Sequence, residues 1–415
     1  MRGWGAALLG AGALVSAVWL VSRGWFALLV AALVVGWFVL WQRVLVQRTS
    51  TSVIIVVGLV LRVVWVALVP TEPAVDFATY HAFAANLASG VSNEILFATM
   101  PMQEVGYPLF LGGVYTLVGV SVVVGRAVNV LLALWLMMAV RRLLLPQGEQ
   151  VTRTGLMLVA LWPANLAMTS LLASENLFLP LMWTGLVFVG AQPLRGGLLL
   201  GVAQAVRPTA VVLILVLMLR RQWRWVIALW LGVALAFGSY RVLRSVAGDS
   251  VTRGGAAFSL LVGSNRESVG AWNGADHRWF AAKTDELGAE AAAAAARTRA
   301  LERLTSAPIE SVVLMARKFH AQWGHGAVAV TFAMAEPVAP MLAWADAWAV
   351  SLWALALWRV LKGPTFTELE RWAAAGLGVA VVGHLLLEAN ARYALPWMVG
   401  VLLLAAAAPP VTRTP

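Results

Sequence analysis

The chain has 415 residues, of which 61% are hydrophobic and 12% charged, with a mean hydropathy of +0.82. A soluble domain does not need that much apolar side chain to fill its core, so these proportions exclude a soluble globular protein and select an integral membrane one. The formal charge of +11 does not point to nucleic acid, because the 30 basic residues are scattered singly or in pairs at the ends of apolar runs, where they serve as topology signals and headgroup contacts. There is no cysteine, which removes disulfides, thiol catalysis and Cys-type zinc sites.

A transmembrane helix takes about 20 apolar residues. Candidate spans run over 4–22, 25–41, 53–70, 122–145, 154–170, 175–191, 196–219, 224–241, 338–360, 372–388 and 393–408. Continuous apolar runs of this kind exclude a β-barrel, whose strands alternate. The expected fold is an all-α polytopic membrane protein with about 11–12 transmembrane helices and two large extracytoplasmic loops bearing interfacial amphipathic helices. Residues 1–48 supply two extra N-terminal helices, read as retained because no small-residue cleavage site follows them. Residues 49–241 form a transmembrane core that includes a first loop at 71–121. A second loop occupies 242–337, and 338–415 returns to the membrane.

Orientation follows from where arginine and lysine collect in short loops. Arg43, Arg48, Arg141, Arg142, Arg153, Arg195, Arg220, Arg221, Arg224, Arg359, Lys362, Arg371 and Arg413 mark one side, taken as cytoplasmic. A single crossing at 196–219 would put the cluster at 220–224 on the wrong face. Arg207-Pro208 lies in the middle of that run, where proline breaks the backbone ladder and a lipid-facing arginine would cost about 2.5–3.5 kcal/mol. Two half-length helices, 196–206 and 208–219, resolve the conflict and leave both large loops outside.

Those loops carry interfacial helices. Val75, Thr79, Phe83 and Leu87 share one helical side, and 107–118 is apolar after Gly106-Tyr107-Pro108. Over 276–304, Phe280, Leu287, Leu301 and Leu304 oppose Asp276, Lys283, Glu290 and Arg297, and the alanine run at 291–296 favours helix. No duplicated block marks an inverted repeat.

A carboxylate close to a bilayer is costly and needs a reason. Asp76 precedes the first interfacial helix, where it either accepts a proton or caps the helix. Glu175, at the outer start of a span, either complements the helix dipole or does chemistry. Glu104 has no such structural reason apart from solvation. His384 and Glu388 stand four apart on one helical face, as a structural pair or a weak metal motif. Arg62, Arg126, Arg207 and Arg392 fall inside spans or at their outer rim. Such guanidiniums suit a phosphate, although Arg126 and Arg392 can equally snorkel to headgroups. In the second loop, Asn265, Trp272 and Asn273 sit in glycine-rich segments that suit a polyhydroxylated ligand, while tryptophan is also the usual belt residue.

The order of short motifs resembles the protein O-mannosyltransferase and aminoarabinose transferase branch of the C-type glycosyltransferases. It begins with Arg62, Asp76-x3-Tyr80-His81, Gly106-Tyr107-Pro108 and Arg126-x2-Asn129. Ser174-Glu175-x2-Phe178, Gly201-x5-Arg207-Pro208, Gly263-Ser264-Asn265 with Trp272-Asn273, Lys318 and Glu388-x3-Arg392-Tyr393 follow. The likeness covers residues 50–408.

This resemblance implies an inverting enzyme in the cytoplasmic (inner) membrane, with its active site facing outside. It would move a sugar from a polyprenyl-phosphate donor to a lipid, glycan or protein acceptor. Asp76 would be the base, with Glu175 or Glu104 as a second carboxylate, because Phe77 stands where mannosyltransferases of this type carry an acid. Arg126, Arg207, Arg392 and Lys318 would hold the phosphate, with Tyr80, His81, Tyr107, Glu388 and Tyr393 also lining the substrate site. No cofactor and no obligatory metal are expected, since no dense acidic cluster is present; membrane lipids are the other partner. A lipid-linked sugar flippase, or a polysaccharide polymerase or ligase, remain alternatives on the same carrier chemistry.

Overall fold

The computed structural model describes residues 2–69, 71–91, 105–209, 223–246, 255–334, 336–363 and 366–408. In chain order the helices are α1 (Arg2–Ser22), α2 (Trp25–Leu40, continued by a π turn and a last α turn to Arg48), α3 (Thr51–Leu68), α4 (Asp76–Ala88) and α5 (Gly106–Val118). Next come α6 (Val122–Leu144), α7 (Glu149–Ala160), α8 (Pro163–Met168), α9 (Glu175–Val189) and α10 (Pro193–Val206). After α11 (Trp223–Val246) follow α12 (Gly255–Gly263), α13 (Gly274–Leu287), α14 (Ala289–Ser306), α15 (Pro308–Trp323) and α16 (Val328–Ala333). The chain closes with α17 (Ala339–Lys362), α18 (Glu368–Leu386) and α19 (Ala391–Ala406). No strand occurs among the described residues.

Among the described residues six helices are long and apolar enough to cross a membrane: Trp4–Ser22, Thr51–Leu68, Val122–Gln147, Val226–Ser245, Ala339–Lys362 and Glu368–Leu386. That makes an all-α membrane protein with fewer full-length spans, among the described residues, than the eleven expected. The differences have local causes. The expected span 154–170 is broken at Trp162-Pro163 into α7 and α8, because proline cannot donate to the helical ladder. The carbonyls so released are taken up by Arg62, which is fully buried. It donates to Ala160 O (3.0 Å), Val159 O (3.0 Å) and Gly58 O (2.9 Å) and also to Asn165 Oδ1. Arg62 therefore mends a broken helix and meets no carboxylate among the described residues.

α9 and α19 are also short, at 15 and 16 residues. At 1.5 Å per residue each spans less than the roughly 30 Å of a hydrocarbon core. Glu175 opens α9, and Arg392 lies in the first turn of α19.

α10 and α11 lie side by side and point the same way. Gly197 abuts Leu229, Gly201 abuts Val233, and Gly232 abuts Leu194 and Leu198, the small-residue contact that lets membrane helices approach closely. Parallel packing puts Trp223 at the end where α10 began and Arg207 at the opposite end. Of the expected hairpin, 196–206 is helical; its second half lies almost wholly outside the described residues, as do Arg220 and Arg221. Other contacts gather the basic connections at the Trp223 end. Arg153 Nη1 donates to Val46 O (3.0 Å), Arg359 Nη2 to Glu370 Oε2 (2.8 Å), and Gly155 packs near Leu144 and Ala406.

In the second loop the expected single amphipathic helix over 276–304 is two, broken at Gly288, whose φ of +81° suits only glycine. α12, α13 and α14 close a small core of Ala257, Phe258, Leu261, Phe280, Ala292 and Ala296. The alanines are what pack, since they allow close helix approach; Leu287 and Leu301 are exposed instead of buried.

Candidate functional site

Four charged side chains from four helices meet at the Arg207 end of the bundle. Arg392 Nη2 donates to Asp76 Oδ2 at 2.8 Å, and Arg392 Nε lies 3.1 Å from Glu175 Oε1. Arg207 Nη1 lies 2.7 Å from the same Glu175 oxygen and donates to Ser174 Oγ at 3.1 Å. The contacts to Glu175 Oε1 are close charge pairs and not aligned hydrogen bonds. The set is a neutral zigzag of two carboxylates and two guanidiniums. Glu175 and Arg392 side chains are 1% and 6% exposed and Asp76 is 29% exposed, so Asp76 is the member that a ligand can reach.

Local chemistry places each of them. Asn390 caps α19, its Oδ1 accepting from Arg392 N at 3.0 Å. Pairing with Arg392 answers the alternative that Asp76 is only a cap: the cap position of α4 belongs to Val75, held at φ +50°. A β-branched residue there is strained, and such strain is kept where surrounding structure overdetermines it. Glu175 sits in the first turn of α9, where the helix dipole favours a negative charge. Arg207 is the C-cap of α10. The Tyr393 ring lies 5.2 Å from the Arg207 guanidinium and 5.7 Å from that of Arg392, and Phe77 is 5.1 Å from Arg392. These ring faces make cation–π contacts with the two guanidiniums.

Around this centre stand Tyr80, buried and edge-on to Tyr107 at 5.9 Å, and Tyr107 itself, whose hydroxyl donates to Asn129 Oδ1 at 3.2 Å. His81 Nδ1 is 2.9 Å from the Tyr115 hydroxyl, and burial holds its pKa below the ordinary histidine value. Burial, together with the Asp76 charge, pushes Glu388 up to about 7 despite Arg392 and Lys318.

Several expected ligands are placed differently. Lys318 spends its three N–H donors on Gly263 O (2.9 Å), Leu385 O (2.8 Å) and Leu387 O (2.6 Å). It ties the second loop to the end of α18, and burial lowers its pKa to about 8 against the pull of Glu388. His384 turns Nδ1 to Ala380 O in place of a pair with Glu388. Asn265 and Asn273 both donate to Asp276, and Trp272 is exposed beside His277. Arg126 is buried, with an Nε that meets no acceptor. It makes no ion pair among the described residues and stands one turn ahead of Asn129. Glu104 lies outside the described residues. No group of three His, Asp or Glu side chains is placed to hold a metal among the described residues.

The sequence reading named Ser174 and Asn129 as motif members and Phe77 as a departure from the motif but gave them no supporting role, and it gave none to Tyr115. It also passed over Asp346, a fully buried carboxylate within the span 338–360. Asp346 takes Arg23 Nε at 3.0 Å and Ala327 N at 3.1 Å, and so ties the N-terminal helices to α17.

An apolar cavity of about 570 Å³ lies among α9, α18 and α19. Trp183, Leu186, Trp372, Pro396, Trp397 and Leu403 are among its lining residues. Pro396 is one helical turn beyond Arg392 and Trp183 two turns beyond Glu175. The cavity continues to Gln147 and Glu368 at the opposite end of the bundle.

No protein-family model, no curated protein and no solved structure matches this chain.

Proposed function

We propose that this protein is a membrane glycosyltransferase that moves a sugar from a polyprenyl-phosphate donor to an acceptor hydroxyl at the extracytoplasmic face. The observation that carries the reading is the juxtaposition of Asp76 with Arg392, Glu175 and Arg207, in a bundle whose apolar cavity reaches Pro396, one helical turn from Arg392. A donor of this kind is half anion and half hydrocarbon, and cavities of a few hundred Å³ suit such ligands. Its chain belongs in the cavity and its phosphate at the guanidiniums, which bind phosphate oxygens in bidentate fashion.

The chemistry balances on these residues. The acceptor oxygen attacks the anomeric carbon, the bond from that carbon to the phosphate oxygen breaks, and the carrier departs as a phosphate monoester. The hydroxyl proton passes to Asp76, the exposed carboxylate of the set. Fixed cations aimed at the leaving oxygen lower the barrier without a protonating acid. Arg126, buried and without an ion pair among the described residues, offers the phosphate a further cation. Glu175 keeps Arg207 and Arg392 fixed in place.

A lipid-linked sugar flippase would use the same cations and cavity but needs no base, and a polymerase or ligase differs only in acceptor. Incubating membranes containing the protein with a radiolabelled polyprenyl-phosphate sugar tests the reading. Transfer to an acceptor that disappears in Asp76→Asn is expected; retained transfer, or translocation unaffected by that change, would overturn it.

A further inference from the structure

The lobe of α12, α13 and α14 holds a second cavity, of about 340 Å³, which the ion network does not use. Asn265, Arg266, Glu267, Asp276, Arg299 and Arg303 line it. We propose that it binds a hydroxylated anion of monosaccharide size, a uronate or a sugar phosphate, and that Arg299 reads the charge.

Part of the wall is already neutralised. Asp276 is 2% exposed and receives Arg303 Nη2 at 2.7 Å, Arg303 Nη1 at 3.1 Å, Asn265 Nδ2 at 2.9 Å and Asn273 Nδ2 at 3.0 Å. Burial by itself would raise this carboxyl; the donors from Arg303, Asn265 and Asn273 outweigh it and hold the pKa below its ordinary value. Arg303 and Asp276 therefore form a rigid floor and need no ligand. Arg266 is likewise committed, to Glu310 Oε2 at 2.7 Å and to the carbonyls of Arg303 and Ala307.

Arg299 is the lining cation left over. Its guanidinium lies 4.6 Å over the Trp279 ring, and it has no ion pair among the described residues. A guanidinium stacked on an indole keeps the N–H edges of its fork free, and that fork matches the oxygens of a carboxylate or phosphate. With Arg266 paired to Glu310 and Arg303 to Asp276, Arg299 is the cation and Glu267 the carboxylate left on the lining. The second carboxylate, Glu267, is exposed; it accepts from hydroxyls and repels a second anion. One charge with hydroxyls around it is what the walls complement, and the volume falls within the range of small-ligand sites.

The cavity's wall at 264–267 belongs to a loop that is fastened next to the ion network. Its ends, Gly263 and Gly270, are held by Lys318 Nζ and by Ala389 N, which donates to Gly270 O at 2.7 Å. Arg392 follows Ala389 by three residues. Service as the anchoring site of an acidic acceptor rests on the transferase reading; binding itself does not.

The full-length protein in nanodiscs is titrated with glucuronate, glucose 1-phosphate, glucose and inorganic phosphate, with binding followed by saturation-transfer NMR. At least one of the two anionic sugars is expected to bind saturably, and which of them does identifies the anion. Glucose and inorganic phosphate should bind at least tenfold more weakly. Arg299→Gln should weaken the anionic sugar tenfold or more, and Arg299→Lys, which keeps the charge and loses the fork, should weaken it less. Asp76→Asn should not weaken this binding. Failure of both anionic sugars to bind, equal binding to a correctly folded Arg299→Gln, or loss of binding in Asp76→Asn would each overturn the proposal. Binding that persists where the transfer assay fails would remove only the transferase reading.

Discussion

Arg392 and Asp76 are 316 positions apart in the chain and 2.8 Å apart in the fold. An anionic ligand that reaches Arg392 must compete with that carboxylate. Asp76→Asn is therefore expected to do two opposite things. Sugar transfer should fall by two to four orders of magnitude, roughly the contribution of a positioned base, while binding of a prenyl phosphate tightens several-fold because its competitor is gone. Titrating farnesyl phosphate into the nanodisc-embedded variant and the parent protein measures the second effect; weaker or equal binding would count against competition at Arg392.

Glu175 balances two buried guanidiniums at once. Removing one partner of a buried pair leaves a charge uncompensated, at about 3–5 kcal/mol. Glu175→Gln should lower thermal stability in detergent strongly, and combining it with Arg207→Gln should cost less than the two single changes added together. A double-mutant cycle by thermal unfolding reads the coupling directly; additive losses would show that the network is not a unit.

Arg62 holds carbonyls freed at Trp162-Pro163. Arg62→Met is expected to destabilise the protein, since buried backbone acceptors lose their donors, and Arg62→Lys should rescue little because one ammonium cannot reproduce the planar fork. Neither change should alter prenyl phosphate affinity in the fraction that remains folded. A shift in that affinity would return Arg62 to the ligand site.

Glu388 sets a pH dependence. Its pKa rises from 4.5 to about 7 on burial, so between those values the folded protein keeps a proton that the unfolded chain releases. Stability contributed by this group is thus full below about pH 4.5 and lost as pH rises through about 7. Glu388→Gln does not titrate and should flatten the fall. Unfolding temperatures from pH 4.5 to 8 decide it, and an unchanged slope in the variant would reject Glu388 as the source.

Topology is testable because the chain lacks cysteine. Ser89→Cys and Ala294→Cys, both at exposed positions, should react with an impermeant thiol reagent added outside intact cells, whereas Gln150→Cys should react only after permeabilisation. Labelling of Ser89→Cys and Ala294→Cys from different sides would break the shared-face arrangement.

Much was readable from residue order alone because it is local. Apolar run length announces membrane helices at 4–22, 53–70 and 338–360, where the structure has Trp4–Ser22, Thr51–Leu68 and Ala339–Lys362, and Arg207-Pro208 in mid-run marks where α10 ends. The cost of a charge in an apolar setting singles out Asp76, Glu175, Arg207 and Arg392 before any fold is known. What the tertiary structure decided is who neutralises whom. Hydropathy assigns an energetic penalty to Arg62 and to Arg392 alike, yet one is met by carbonyls of a broken helix and the other by two carboxylates. Lys318 likewise reads as a free cation until three carbonyls surround it. Burial demands are written along the chain; the partners that meet them come from remote helices, and only packing in three dimensions brings those together.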